Sequence, residues 1–146
     1  MDMVGVVYMS RSIRPMQSVD LDRLLMDART YNAEKDVTGV LLYGASQFFQ
    51  YFEGHPADVE DVEDVYERIR RSSLHHELVE LERRRVPQRF FHKWFMGFRE
   101  APASAIQKLS QQHWKHEIPW AEDHAAASPG MQQLMAFLDS VSTDEA

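Results

Sequence analysis

Gln50 stands in the run Phe48-Phe49-Gln50-Tyr51-Phe52, and a carboxamide set among aromatic residues needs a partner. Side chains alternate along a strand, so Phe48, Gln50 and Phe52 share one face while Phe49, Tyr51 and Glu53 share the other. Turned inward, the amide carries two donors and an acceptor into apolar surroundings, where leaving them unpaired costs about 1–3 kcal/mol. Either another side chain meets it or a ligand does. The same parity turns Tyr8 inward on a first strand and Trp94 with Met96 inward on a last one, and Asn32 stands at the end of the helix between. A phenol, two carboxamides, an indole and a thioether make a hydrogen-bonding site with little charge. That composition suits a flat heteroaromatic ligand with carbonyl and imide edges, held between two helices. It does not suit hydrolysis, because no paired carboxylates, Ser-His-acid set or metal ligands fall in the same layer. Taken singly, each residue is more often a satisfied core side chain, and only the combination points to a site.

Those residues need a frame. Met3 to Ser10 alternates, with Val4, Val6, Tyr8 and Ser10 on one face, and reads as a central strand. Ser18, Asp20 and Asp22 supply a capped, acidic helix start, and Leu21, Leu24, Leu25 and Ala28 carry helical spacing to about Asn32. Thr38 to Tyr43 and Phe48 to Gly54 read as a hairpin joined at Gly44-Ala45-Ser46. Pro56 opens a second helix whose buried stripe is Val59, Val62, Val65, Tyr66 and Ile69. Asp58, Glu60 and Asp61 at its start and Arg68, Arg70 and Arg71 at its end match the helix dipole. Leu78 to Val86 and Phe90 to Phe98 read as two more strands around Pro87. After Ala103 the pattern is helical in two segments, one with Ile106 and Leu109, the other with Met131, Leu134, Met135 and Leu138, separated at Pro119, Ser128, Pro129 and Gly130. The order predicts an α+β, ferredoxin-like βαββαββ sheet with two helices on one face, followed by two C-terminal helices that cover the other face or a partner.

A length of 146 residues with 44% hydrophobic content allows one domain with a real core. The net charge of -7 opposes a phosphate backbone, and Arg83-Arg84-Arg85 suits protection of a strand edge, so no nucleic-acid partner is expected. Without cysteine there is no disulfide, thiolate nucleophile or cysteine metal site, in keeping with a reducing cytoplasm. No apolar run is long enough for a bilayer and the start is unlike a signal peptide, so the expectation is cytoplasmic with no membrane partner. His113 and His116 fall three apart on a helical stretch with Glu117 beside them, but a solvated face is the commoner case and no metal is expected. An acylphosphatase-like hydrolase needs a Gly-rich anion loop after the first strand, and Arg11-Ser12-Ile13-Arg14-Pro15 has no glycine.

Several segments, taken in order, resemble the BLUF family of blue-light sensors using flavin. They are Tyr8-Met9-Ser10, Asp20-Leu21 through Leu24-Leu25, Ala28-Arg29-Thr30-Tyr31-Asn32, Val37-Thr38-Gly39-Val40-Leu41-Leu42-Tyr43, Phe48-Phe49-Gln50-Tyr51-Phe52-Glu53-Gly54, and Arg89-Phe90-Phe91 to Trp94-Phe95-Met96-Gly97-Phe98. The resemblance covers about residues 3 to 100. It implies FAD held non-covalently between the two helices, contacted by Tyr8, Ser10, Leu24, Ala28, Arg29, Tyr31 and Asn32 from the first half of the fold. Leu41, Phe48, Gln50, Arg68, Ile69, His75 and Met96 are the contacts it implies from the second. Light chemistry would fall to Tyr8, Asn32, Gln50, Trp94 and Met96, in a photoreceptor that is not an enzyme. Tyr8 would give an electron and a proton through Gln50 to the light-excited ring, and their return would leave the amide rearranged, by rotation or tautomerisation.

Where the family usually has Asp-x-Arg-His after the second helix, this chain reads Ser72-Ser73-Leu74-His75. Arg68, Arg70 and Arg71 are then the candidates for phosphate or ribityl contacts. Residues 1 to 100 are expected to form the flavin-binding core and 101 to 146 a helical extension. Output is expected to reach a downstream signalling protein or a homo-oligomer, for which Trp114, Trp120 and Phe137 offer apolar surface. A non-photoactive ligand-binding or interaction module on the same fold is the alternative.

Overall fold

Alternation in the N-terminal segment produces a two-faced strand, β1 (Met3–Ser12), with Val6 and Tyr8 packed on one side and Val7 and Met9 on the other. The computed structural model describes residues 3–55, 61–86, 88–91, 94–112 and 129–140. Helix α1 (Ser18–Lys35) opens where the Asp20 carboxylate accepts the Gln17 N–H at 3.0 Å. That bond, together with Arg14 at 3.1 Å, holds the Asp20 carboxyl below its ordinary value. The helix ends at Asp36, in the left-handed region with φ 57°. Strands β2 (Thr38–Gly44) and β3 (Gln47–Gly54) pair antiparallel across a two-residue turn in which Ala45 and Ser46 both have positive φ. Such a turn matches the right-handed twist of the strands it joins.

Helix α2 (Asp61–Arg71) and strand β4 (His75–Val86) follow, then β5 (Gly97–Glu100), α3 (Ala103–Ser110) and α4 (Pro129–Ser140). The sheet order is β4-β1-β3-β2-β5, antiparallel except for the parallel β2–β5 pair. This is the ferredoxin-like arrangement expected from the element order, with a fifth strand added at the β2 edge. The expected last strand from Phe90 is corrected: β5 starts only at Gly97. Ahead of it, the Phe90 and Phe91 N–H groups donate to the Glu53 carboxylate and the Trp94 carbonyl accepts from Gly39 N–H, partners outside a ladder with a neighbouring strand. Pro56, Asp58, Val59, Glu60, Pro87, Pro119, His113, Trp114, His116, Glu117, Trp120 and Ser128, named above, lie outside the described residues.

The two sheet faces carry different cores. Val7, Val40, Leu42, Phe49 and Tyr51 pack with Ile106 and Leu109 of α3 and with Met131, Leu134 and Leu138 of α4. On the opposite face the interior is split. Under α2, Val6, Tyr8 and Phe52 pack with Val62, Val65 and Tyr66; under α1, Leu41, Phe48 and Met96 pack with Leu21 and Leu25. Among the described residues these two clusters share no side chain. The helices meet at one end, where Lys35 bridges Asp64 at 2.9 Å and the Arg68 guanidinium lies 4.5 Å over the Tyr31 ring. Toward the start of α1 and the end of α2 they diverge around a cleft.

Burial also sets the alkaline limit of the fold. It raises the phenols of Tyr8 and Tyr51 well above their ordinary value, and it pushes Tyr66, whose hydroxyl donates to Glu80 at 2.9 Å, up to about 12. All three stay protonated in the folded state at pH values where the unfolded chain has ionised. The folded state therefore binds more protons above about pH 10, and stability falls as pH rises from there. Urea titrations between about pH 9 and pH 11 should show a total loss of up to about 1.4 kcal/mol for each tyrosine. A flat profile would contradict the burial of these phenols.

Candidate functional site

Tyr8 of β1 and Gln50 of β3 are direct register partners on the same face of the sheet. The Tyr8 hydroxyl donates to Gln50 Oε1, and Gln50 Nε2 donates to the Met96 sulfur at 3.3 Å. The amide is therefore engaged at both ends, on one side by a good donor and on the other by a weak thioether acceptor. Burial, with Tyr66 beside it, keeps Tyr8 neutral and so a donor. Helix α1 grips the segment that carries Met96, with Asn32 Nδ2 donating to the Phe95 carbonyl and Arg29 Nε to the Met96 carbonyl, each at 2.8 Å. His75 joins β1 to the end of α2, with Nδ1 2.7 Å from Ser10 Oγ and Nε2 2.7 Å from the Ile69 carbonyl. A carbonyl only accepts, so Nε2 carries a proton, and in the neutral ring Nδ1 accepts from Ser10.

Between α1 and α2 these groups open onto a cleft of about 780 Å³. Tyr8, Leu41, Phe48, Gln50 and Met96 form its floor, while Leu24, Ala28 and Asn32 line it from α1 and Val65 and Ile69 from α2. Its mouth is charged, with Arg14, Arg23, Arg68 and Arg71 interspersed with Asp20, Asp27, Asp64 and Glu67. An apolar slot with a few convergent polar groups is the usual form of a small-molecule site.

Of the residues singled out from sequence, Tyr8, Leu24, Ala28, Tyr31, Asn32, Leu41, Phe48, Gln50, Arg68, Ile69, His75 and Met96 come together on this cleft. Ser10 and Arg29 sit one layer back, where they hold His75 and the Met96 backbone. Arg70 turns away to lie 3.9 Å over the Tyr66 ring. Trp94 requires a correction: parity placed it beside Met96, but it stacks on Phe91 at 5.7 Å and packs with the α3–α4 core on the far face. Strand parity does not hold across 94–96 because that segment is irregular. Unforeseen lining residues include Met16, Val65, Ser72, Ser73 and Leu74, together with Arg14, Arg23 and the acidic groups at the mouth. Helical spacing holds the signal for some of them, since Asp20 and Asp27 flank Leu24 at four and three residues and Val65 precedes Ile69 by four.

Residues 3–97 match the family model described as BLUF, sensors of blue-light using FAD. The chain belongs to the BLUF family. As a BLUF protein it is a blue-light sensor whose cofactor is FAD, and the cleft suits that cofactor's ring: an apolar slot with Tyr8, Gln50 and Asn32 as its polar groups. Photoactivated adenylate cyclase subunit beta of Euglena gracilis is 37% identical over 70 residues, 48% of this chain and 8% of that protein. The blue light- and temperature-regulated antirepressor BluF of Escherichia coli K12 is 33% identical over 90 residues, 60% of this chain and 21% of that protein. The BLUF chain thus spans 8 to 21% of the length of the curated relatives it matches. Among solved structures, BlsA in its photo-activated state superposes with a TM-score of 0.67 at 22% identity, covering 99% of this chain and 98% of that one. The dark-state BLUF protein BlrB gives 0.61 at 23% identity, over 74% of this chain and 78% of that one. These two likenesses establish the shared fold. Among the described residues no helix is long and apolar enough to cross a membrane.

Proposed function

We propose that this BLUF chain reports blue light by rearranging the Gln50 amide, and that the change leaves the cleft through Met96 and β5. Support comes from Gln50 being bonded at both ends, to Tyr8 through Oε1 and to the Met96 sulfur through Nε2. When bound, FAD supplies a blue-absorbing ring whose excited state is a strong oxidant. Leu24, Ala28, Leu41, Phe48 and Ile69 would clasp that ring, Gln50 and Asn32 would meet its polar edges, and Arg68 and Arg71 would take the phosphates. Tyr8 is placed to give up an electron and its Oη proton together, because the proton already lies along the bond to Gln50 Oε1. Rotation of the amide would turn Nε2 to Tyr8 and Oε1 to Met96, whose thioether has no proton to donate. Tautomerisation is the other route: Oε1 would gain a proton as Nε2 gives one up, and Tyr8 would regain both its electron and a proton. Rotation would remove the Nε2 donor from Met96 and tautomerisation would take one of its two protons, so both routes alter the group that meets Met96, and a light signal requires such a difference.

From Met96 the path runs along β5 beside β2 to Ala101, whose N–H donates to the Tyr43 carbonyl at 3.0 Å, and so into α3. In this reading residues 1–100 form the flavin-binding core and 101–146 the output extension. The chain has no enzymatic activity of its own, works in the cytoplasm, and signals to a protein partner or through its own oligomer. The antirepressor relative supports a protein target, since its name joins light to regulation of another protein. A visible spectrum of the purified protein before and after blue illumination tests the proposal. The expected result is a flavin spectrum that moves slightly to the red in light and returns in the dark. A protein that refuses added FAD, or holds it without a shift, overturns it.

A further inference from the structure

Glu53 lies on β3 three residues after Gln50, faces the opposite side of the sheet, and is fully buried. Its Oε1 accepts the Tyr51 hydroxyl at 2.7 Å and the Phe90 N–H at 2.9 Å, while Oε2 accepts the Phe91 N–H at 2.7 Å and the Thr38 hydroxyl at 3.3 Å. Arg89 completes the clamp, donating to Thr38 Oγ1 at 2.8 Å and to the Asp36 carbonyl at 2.7 Å. Burial raises the Glu53 carboxyl above its ordinary value against the pull of these donors. So costly a group in the core fits a carboxylate that organises its surroundings.

What it organises is the connector 89–96. Glu53 fixes the connector's start on the far face, and Gln50 on the same strand meets its end at the Met96 sulfur on the cleft face. Phe91 packs on Tyr51 at 5.7 Å and stacks on Trp94, which ties the two anchored ends to each other. We infer that Glu53 is a positioning residue that sets the Met96 sulfur against the Gln50 amide from across the sheet. Its effect on the photocycle then passes through Met96, and the inference rests on Gln50 being the light-responsive group.

The test is Glu53→Gln in the full chain, alone and combined with Met96→Leu. Glutamine keeps the volume but places an NH2 group where one carboxylate oxygen accepts a backbone N–H, so the connector must shift. FAD should remain bound and the red shift should still form. Dark recovery should change by about fivefold or more, and the infrared amide signature of the light-minus-dark difference should move. The double variant should recover at the rate of Met96→Leu alone. Recovery within about twofold of the parent, or effects of the two substitutions that multiply as for independent sites, would overturn the inference. If Glu53→Gln does not fold, Thr38→Val removes one donor to the same carboxylate at nearly constant volume. It should alter recovery in a way that vanishes in the Met96→Leu background, and parental recovery would overturn the inference equally. A parent protein without any shift defeats the proposed function instead, whereas an intact shift with silent Glu53 and Thr38 variants defeats this inference alone.

Discussion

Replacing Tyr8 by phenylalanine abolishes the light-induced red shift and leaves FAD bound. The ring itself is retained by packing, since Tyr8 lies 6.3 Å from both Phe52 and Tyr66 and 6.2 Å from His75, centre to centre. Among the described residues its hydroxyl bonds the side chain of Gln50, at Oε1. Phenylalanine therefore keeps the shape of the cleft floor and removes the group proposed to supply electron and proton together. The substitution also strands the Gln50 oxygen, a residue 5% exposed, at a cost of about 1–3 kcal/mol that a denaturation curve will register. Absorption spectra of the variant in the dark and under blue light decide the matter, and an undiminished shift removes Tyr8 from the mechanism.

A glycine-to-alanine change at position 39 should cost about 4 kcal/mol or more and leave little folded protein. A Cβ there would sit 2.7 Å from Phe52 Cα and closer still to the Tyr51 carbonyl oxygen, and backbone atoms cannot rotate aside. Strand β2 would have to leave β3, and the Gly39 N–H, which donates to the Trp94 carbonyl at 2.8 Å, would move with it. Gly5→Ala is the informative control. Its added Cβ meets the end of the Tyr51 side chain, with the hydroxyl at 2.7 Å, and a side-chain tip can yield at about 1–3 kcal/mol. Equal stability losses in the two variants, measured by chemical denaturation, would refute the distinction.

The sequence makes the pairing of Tyr8 with Gln50 legible because period-two alternation on β1 and β3 needs only local information. Leu24, Ala28, Asn32 and Ile69 are legible for the analogous helical reason. Trp94 is not, because residues 89–96 take their geometry from groups distant in sequence. The Phe90 and Phe91 amides bond a carboxylate 37 and 38 residues away, and Asn32 holds the Phe95 carbonyl across 63. No local pattern encodes such bonds, so strand parity does not hold at 94–96. The start of β4 shows the same limit. That strand extends back to His75 through Glu77 at φ 55° and a register shift opposite Met9 and Arg11, an irregularity that alternation alone does not announce. The apolar stripes of α3 and α4 can be read directly, but their choice of the face behind Phe49 and Tyr51 is decided by packing.

The divided interior beneath α1 and α2 gives the cofactor an architectural part as well as a photochemical one. With two half-cores that share no apolar side chain among the described residues, a tricyclic ring bound between them would act as a keystone, adding to the contacts by which the helices meet at Lys35 and Arg68. Loading and consolidation of this half of the molecule would then form one thermodynamic event, with the free concentration of FAD helping to set how firmly the sensor is built.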